Sequence, residues 1–175
     1  MRARAISIAG FAAGAACGFF FVSVVGRSEP RLFYSLDRKQ NDREIIQLID
    51  NSSQYAEFAI FTFTKPEIAD ALVRAAGRGV RVFGIADRLQ SDYKGQKVIL
   101  AKLAKAGIPV EVQKHAVGIM HIKAIVTDRG YALGSYNWTQ SATLSNDEVL
   151  EVGDASGLHD RLRQIIEQVI RANAG

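Results

Sequence analysis

Hydrophobic and polar positions along this chain fall into short blocks whose period switches between strand-like and helix-like. Leu32-Phe33-Tyr34-Ser35 predicts a first strand, and a polar run from Asp37 to Asn41 follows it. Asn41 or Asp42 stands where a helix cap is wanted, with Ile45, Ile46 and Ile49 returning on one helical face. Ala56 to Phe63 is an apolar run of the kind found in a strand covered on both sides. Lys65-Pro66-Glu67 opens the next helix, since proline is tolerated in a first turn. Ile68, Leu72, Val73 and Ala76 form its stripe, and Gly77 to Gly79 ends it. Val80 to Ala86 predicts another buried strand, Asp87 to Gly95 a polar loop, Val98 to Ala106 a helix stopped by Gly107, and Val110 to Val112 a short strand.

The second half continues in the same way. Residues 122–127 are dominated by Val, Ile and Thr, Asp128-Arg129-Gly130 supplies a turn, and Tyr131 to Leu133 returns as a second strand. Val149 to Val152 predicts a last strand and Leu158 to Ala172 an amphipathic closing helix, with Leu162, Ile165, Ile166 and Val169 inward. Strands alternating with helices predict an α/β fold, a mostly buried β-sheet flanked by helices on both faces. The hairpin after residue 127 makes that sheet mixed. At 175 residues, of which 48% are hydrophobic, one domain with a sizeable core is expected.

Residues 1–26 stand apart. Arg2 and Arg4 precede an uncharged apolar and small-residue run from Ala5 to Gly26, the pattern of an export signal. The run is also long enough to span a bilayer. Three readings stay open: a cleaved signal peptide with a periplasmic product, an inner-membrane anchor facing the periplasm through residues 5–26, or, as a remote third, lipidation at Ala15-Ala16-Cys17. Residues 27–31 would then be a connector and 32–175 a single catalytic domain. The lone cysteine, Cys17, lies in the leader, so the body can form neither a disulfide nor a cysteine-based metal site. Past residue 26 the chain has 20 Lys and Arg against 18 Asp and Glu. Overall charge therefore says little about a nucleic-acid partner. No basic block, low-complexity segment or internal repeat appears.

Chemistry concentrates in His121-Ile-Lys123-Ala-Ile-Val-Thr-Asp128, Gly134-Ser135-Tyr-Asn137 and Asn146-Asp-Glu148. Residues two apart on a strand share a face, so His121 and Lys123 would point together, with Ile122, Ala124 and Val126 turned into the core. An imidazole can attack phosphorus or carry a proton, and an ammonium can neutralise phosphate oxygens. Ser135 and Asn137 could donate to the same oxygens, and Glu148 could hold the His121 ring in one tautomer. Asp128, at the turn, suits an ion-pair role better than chemistry. Trp138 suits packing better than base stacking, and Asp87, Arg88 and the loop to Lys94 would form a substrate rim.

These residues, at this spacing, resemble the His-x-Lys-x4-Asp (HKD) motif of the phospholipase D superfamily, continued by Gly-Ser-x-Asn and a glutamate. The resemblance is nearest to its small, single-motif periplasmic endonucleases and covers roughly Leu32 to Val152. It includes Phe33-Tyr34-Ser35, a Phe61-Thr62-Phe63-Thr64 strand and the Gly79-Val80-Arg81-Val82 strand start. One departure is the five-residue interval from Asp128 to Gly134, slightly short of the usual pattern.

The resemblance implies a metal-independent phosphodiester hydrolase with no cofactor, working through a phosphohistidine. Hydrolysis by a covalent step needs a nucleophile and an acid, yet one motif supplies one histidine. His115 and His159 are poor second candidates. Two copies about a two-fold axis would bring two His121 rings across one pocket. The resemblance implies this homodimer, with catalytic His121, Lys123, Glu148 and Asp128, and with Lys123, Ser135 and Asn137 on the phosphate. DNA or RNA is the favoured substrate, with Arg81, Arg88, Lys94, Lys97 and Lys114 tracking phosphates. A phospholipase on lipid headgroups is the alternative, and a silent, membrane-tethered phosphate-binding module a further one.

Overall fold

The computed structural model describes residues 29–114 and 117–174. The leader, Cys17 and His115 lie outside them. Seven strands form one sheet: β1 (Arg31–Tyr34), β2 (Tyr55–Ile60), β3 (Arg81–Ala86), β4 (Val110–Val112), β5 (Lys123–Thr127), β6 (Gly130–Gly134) and β7 (Val149–Gly153). Their spatial order is β1-β7-β6-β5-β2-β3-β4. The β2–β3 and β3–β4 pairs are parallel, whereas β2–β5, β5–β6, β6–β7 and β7–β1 are antiparallel. The sheet is therefore mixed, as the hairpin demanded. Seven helices complete the described chain: α1 (Ser35–Arg38), α2 (Asn41–Asp50), α3 (Pro66–Gly77), α4 (Arg88–Ser91), α5 (Lys94–Lys105), α6 (Gln140–Leu144) and α7 (Ser156–Arg171). None of them is long and apolar enough to cross a membrane.

Period-two alternation sorts the strand residues between two cores. Ala56, Phe58, Ile60 and Ile125 face one core, with Ile45 and Ile49 of α2 and Ile68 and Leu72 of α3. Ala59, Ala124 and Val126 face the other, under Leu162 and Ile166 of α7. Helices thus cover both faces, and strands β2, β3 and β5 read as apolar runs for that reason. Burying a Leu or Ile side chain is worth about 2 kcal/mol, so these two interfaces dominate the fold's stability. Trp138 belongs to the first core, edge-on to Phe63 at 4.8 Å between ring centres.

Several expectations are corrected. β2 ends at Ile60, not Phe63, and Phe63 keeps only an isolated bridge to Trp138. α2 begins at Asn41 itself with Gln40 as its unbonded cap, because Asp42 is drawn to Lys65 at 2.9 Å. α5 starts at Lys94, four residues early, and the Asp87–Gly95 segment holds α4 rather than loop alone. β5 starts at Lys123, so His121 and Ile122 precede the strand. The short interval after Asp128 is absorbed where expected. Thr127 pairs with Gly130 across a tight turn, and Gly130 takes a φ of +144° that a side chain would resist.

Candidate active site

The motif residues gather where β5 begins, β6 ends and β7 begins. Lys123 is the first residue of β5 and pairs with Ile60, the last of β2. Beyond Ile60 the chain turns, and the Phe61 ring becomes a platform for the His121 and Lys123 side chains. His121 packs edge-on to it at 4.5 Å between ring centres, and the Lys123 Nζ lies 4.9 Å from the same centre. The His121 backbone is fixed although no strand contains it. Lys123 Nζ donates to the His121 carbonyl at 2.8 Å, Phe61 N donates to the Ile122 carbonyl at 2.9 Å, and Met120 N is held from the other side. The His121 side chain remains exposed.

Lys123 is only 6% exposed, and burial pushes its ammonium below the ordinary lysine range, opposed by the charge of Glu148. One of its three N–H groups is on the His121 carbonyl, which leaves two for a ligand. That combination suits an anion: a positive charge already stripped of water is worth more to an incoming phosphate than a solvated one.

Glu148 reaches the site from the start of β7. Its backbone is clamped to Ser35, with Ser35 N donating to the Glu148 carbonyl and Glu148 N donating to Ser35 Oγ, both at 2.9 Å. Its carboxylate accepts from Ser135 Oγ at 2.5 Å and from Asn146 Nδ2 at 3.3 Å. No hydrogen bond joins Glu148 to His121 in this chain, so the expected tautomer lock is not formed here; the carboxylate's contacts are instead with Ser135 and Asn146. Ser135 also departs from its expected role. Its proton goes to Glu148 and its oxygen accepts from Val149 N at 3.1 Å, so it orients Glu148 rather than facing a phosphate. Gly134 makes this geometry accessible: a Cβ there would drive into the Val149 carbonyl oxygen across the β6–β7 ladder.

Asn137 lies at this end of the sheet, against the chain that follows β2. Its Oδ1 accepts from Thr62 N at 3.2 Å, which orients its amide and leaves Nδ2 as its donor. Asp128 lies elsewhere. It sits at the far end of β5, seven residues along an extended chain and roughly 20 Å from His121. It accepts from Ser53 N at 2.9 Å, Ser53 Oγ at 2.7 Å and Gln54 N at 3.0 Å, and pairs with Arg129 at 3.3 Å. Burial alone would raise its carboxyl, but the hydrogen bonds from Gln54 and Ser53 outweigh that and hold it at about 2. Asp128 fastens the β2–β5 end of the sheet, as the ion-pair reading expects, and this corrects its place among the implied catalytic residues.

His159 is also removed from the site. Its Nε2 lies 2.8 Å from the Thr127 carbonyl and 3.3 Å from Tyr55 Oη, and its Nδ1 lies 2.9 Å from Asp160. Arg81 opens β3 at the end away from the site and faces Glu57 at 3.6 Å, so it is not beside His121. Asp87 is fully buried, not a rim residue, while Arg88 and Lys94 remain partly or fully exposed near it. A hollow of about 350 Å³ takes His121 on its rim with Gln168, Val169 and Ala172, but touches neither Lys123 nor Glu148. Phe61 was read only as part of a strand, and Asp87 as an exposed rim residue rather than a buried one. Asp87 carried a readable signal, since Asp-x-x-Gln after an apolar run resembles a helix-capping pattern.

Fold and site together define an α/β protein of the phospholipase D class, with the histidine, lysine, asparagine and glutamate of one motif at a single end of a mixed sheet. Comparison with known proteins agrees. The family described as "Cardiolipin synthase, PLD-like domain" matches residues 45–170. The chain belongs to the phospholipase D superfamily. It is similar to the family member Nuc from Salmonella typhimurium, at 24% identity and a TM-score of 0.73, covering 82% of this chain and 95% of that one. NucT from Helicobacter pylori is 25% identical with a TM-score of 0.73, covering 82% and 96%. Among curated proteins, the mitochondrial cardiolipin hydrolase of Chlamydomonas reinhardtii is 31% identical over 107 residues, 61% of this chain and 47% of that protein. A phospholipase D of Rickettsia conorii is 32% identical over 105 residues, 59% and 51% respectively. The chain spans about half the length of the curated relatives it matches.

Proposed function

We propose that this protein is a phosphodiester hydrolase that forms a phosphohistidine on His121 in a site shared by two copies of the chain. The observation that carries the reading is an exposed imidazole and a buried, partly desolvated ammonium arranged about one phenyl ring. In the first step Nε2 or Nδ1 of His121 attacks phosphorus and the P–O bond to the leaving alkoxide breaks. The second copy's His121, protonated, delivers its proton to that alkoxide. Water then attacks the phosphohistidine, giving up a proton to the same second imidazole, and His121 is released. Lys123 and Asn137 from both copies hold the non-bridging oxygens, supplying charge without a metal ion. Support for the second copy is local. His159 is committed to Thr127 and Tyr55 on the far side, so within the described residues no other imidazole can act as the acid. A two-fold axis supplies one.

The favoured substrate is a nucleic-acid backbone. Nuc and NucT match over nearly their full length, whereas the lipid-named relatives match over about half of theirs. The curated names favour the second reading, a lipid headgroup hydrolase, for which the apolar leader would hold the site near its substrate. Incubating the full chain in mild detergent and EDTA with plasmid DNA, and separately with phosphatidylcholine and cardiolipin vesicles, separates them. DNA cleavage without headgroup release is expected, and the reverse overturns the ranking. A third reading, a silent phosphate-binding module, requires that neither substrate turns over while phosphate diesters still bind.

A further inference from the structure

Asp87 belongs to none of the motif segments, yet it is fully buried beside the site. It follows the last residue of β3, and its two carboxylate oxygens are divided between two elements. Oδ1 accepts from Gln90 N at 3.0 Å and caps α4. Oδ2 accepts from Met120 N at 3.0 Å. Met120 immediately precedes His121, and the His121 ring itself has no hydrogen bond among the described residues. Its placement therefore depends on the backbone at 120–122. That backbone has three restraints. Two come from groups already in the site, the Lys123 Nζ and the Phe61 amide. The third is the Met120 amide, shared between Asp87 and Gln113 Oε1 at 3.1 Å. Gln113 is in turn placed by its own amide on the Ala86 carbonyl at 3.0 Å, one residue before Asp87.

We propose that Asp87 is a positioning residue for the His121 nucleophile, setting the imidazole by clamping the amide of the residue before it. A carboxyl group has two acceptor oxygens, so one side chain holds Gln90 N and Met120 N at once. It also ties the histidine segment to the strand end that carries α4. The Gln90 side chain of α4 lies 3.2 Å from Thr62 Oγ1, and Thr62 N orients Asn137. One buried carboxylate thus serves the nucleophile directly and the phosphate ligand at one remove.

Asp87→Asn tests this, and the inference rests on the hydrolase reading above. An amide offers one acceptor where the carboxylate offered two. Asparagine is among the best helix caps, so its oxygen is expected to stay on Gln90 N and its NH2 to face the Met120 N–H, breaking only the clamp. The full chain is assayed on DNA and on bis(p-nitrophenyl) phosphate. A fall in kcat of about 10- to 100-fold with KM within about twofold is expected, since misplacing a nucleophile by about 1 Å costs that much. Ser91→Ala is the control: it removes another buried hydrogen bond of the same turn, Ser91 Oγ to the Asp87 carbonyl at 2.6 Å, and should leave kcat unchanged. Hydrogen exchange of the Met120 amide gives a readout free of activity, and it should speed up in Asp87→Asn but not in Ser91→Ala. Unchanged kcat, unchanged exchange, or an equal loss of kcat in Ser91→Ala each overturns the proposal. Where Asp87→Asn does not fold, Gln113→Ala decides, with a smaller fall in kcat expected and an unchanged kcat overturning it. A wild-type protein inert on both diesters fails the hydrolase reading, and the exchange result then judges the clamp alone.

Discussion

Replacing Asp128 by asparagine separates the two roles that the last residue of a His-x-Lys-x4-Asp motif could have. The Asp128 side chain is 7% exposed and is held by Ser53 and Gln54, with its carboxyl at about 2 in the fold against an ordinary 3.8. A carboxyl whose folded value is depressed contributes stability that is complete above its unfolded value and is lost as pH falls through its folded one. At neutral pH that difference corresponds to about 2 kcal/mol. For a domain of this size it amounts to a fall in Tm of about 4–8 °C. Asparagine keeps one acceptor for the Ser53 and Gln54 amides, so the lower figure is the better guide. Thermal melts followed by circular dichroism from pH 7 down to pH 2 should show the gap between wild type and Asp128→Asn closing as pH falls below about 4. kcat on a phosphodiester should stay within about twofold, because His121 is roughly 20 Å away by strand rise. A pH-independent gap would refute the electrostatic account. A kcat loss as large as that of His121→Ala would return Asp128 to the chemistry.

Lys123→Met should abolish turnover yet leave Tm equal or higher. The buried ammonium is disfavoured in the fold at any pH below its lowered value, and methionine removes that cost. By the same sign, the alkaline loss of wild-type activity should begin below the ordinary lysine range as Lys123 gives up its proton, which a pH profile of kcat/KM reads directly. Glu57 is fully buried on β2 and held by Arg163 of α7 at 2.9 Å, so Arg163→Ala should cost about 3–5 kcal/mol in urea melts. Glu57→Leu with Arg163→Leu should recover most of that, and neither change should alter kcat. Gly134→Ala should cut activity by more than its stability loss explains, because the clash with the Val149 carbonyl displaces Ser135 and Glu148 together.

How much of this was legible in the sequence depends on what each residue's neighbours are. Apolar runs at 56–60, 81–86 and 123–127 were readable as buried strands because both faces of the sheet are covered. Strand periodicity put His121 and Lys123 on one face, and the resemblance to the His-x-Lys motif, not spacing, joined Asn137 and Glu148 to them. Phe61 was taken for strand because an aromatic ring in an apolar run looks like core, and nothing local says that the chain turns after Ile60. Asp87 was read as a rim residue, and Glu57 was passed over inside the apolar run from Ala56 to Phe63. Their burial is set by partners 33 and 106 residues away, Met120 and Arg163, which no periodicity reveals. Arg81 looked like a phosphate-tracking cation because sequence does not say which end of a strand the site occupies. The contact between Ser135 and Glu148 went unread for a related reason. Each was paired with a hypothetical phosphate or imidazole, whereas in the fold the hydroxyl and the carboxylate satisfy each other.

The central claim is that turnover needs two His121 side chains over one phosphorus atom. Mixing wild-type chains with His121→Ala chains under conditions of subunit exchange, at constant total protein, measures it. Activity on a phosphodiester should fall as the square of the wild-type fraction, because a mixed pair holds a nucleophile or an acid but not both. A linear fall would mean that each chain works alone, and the shared site would be wrong.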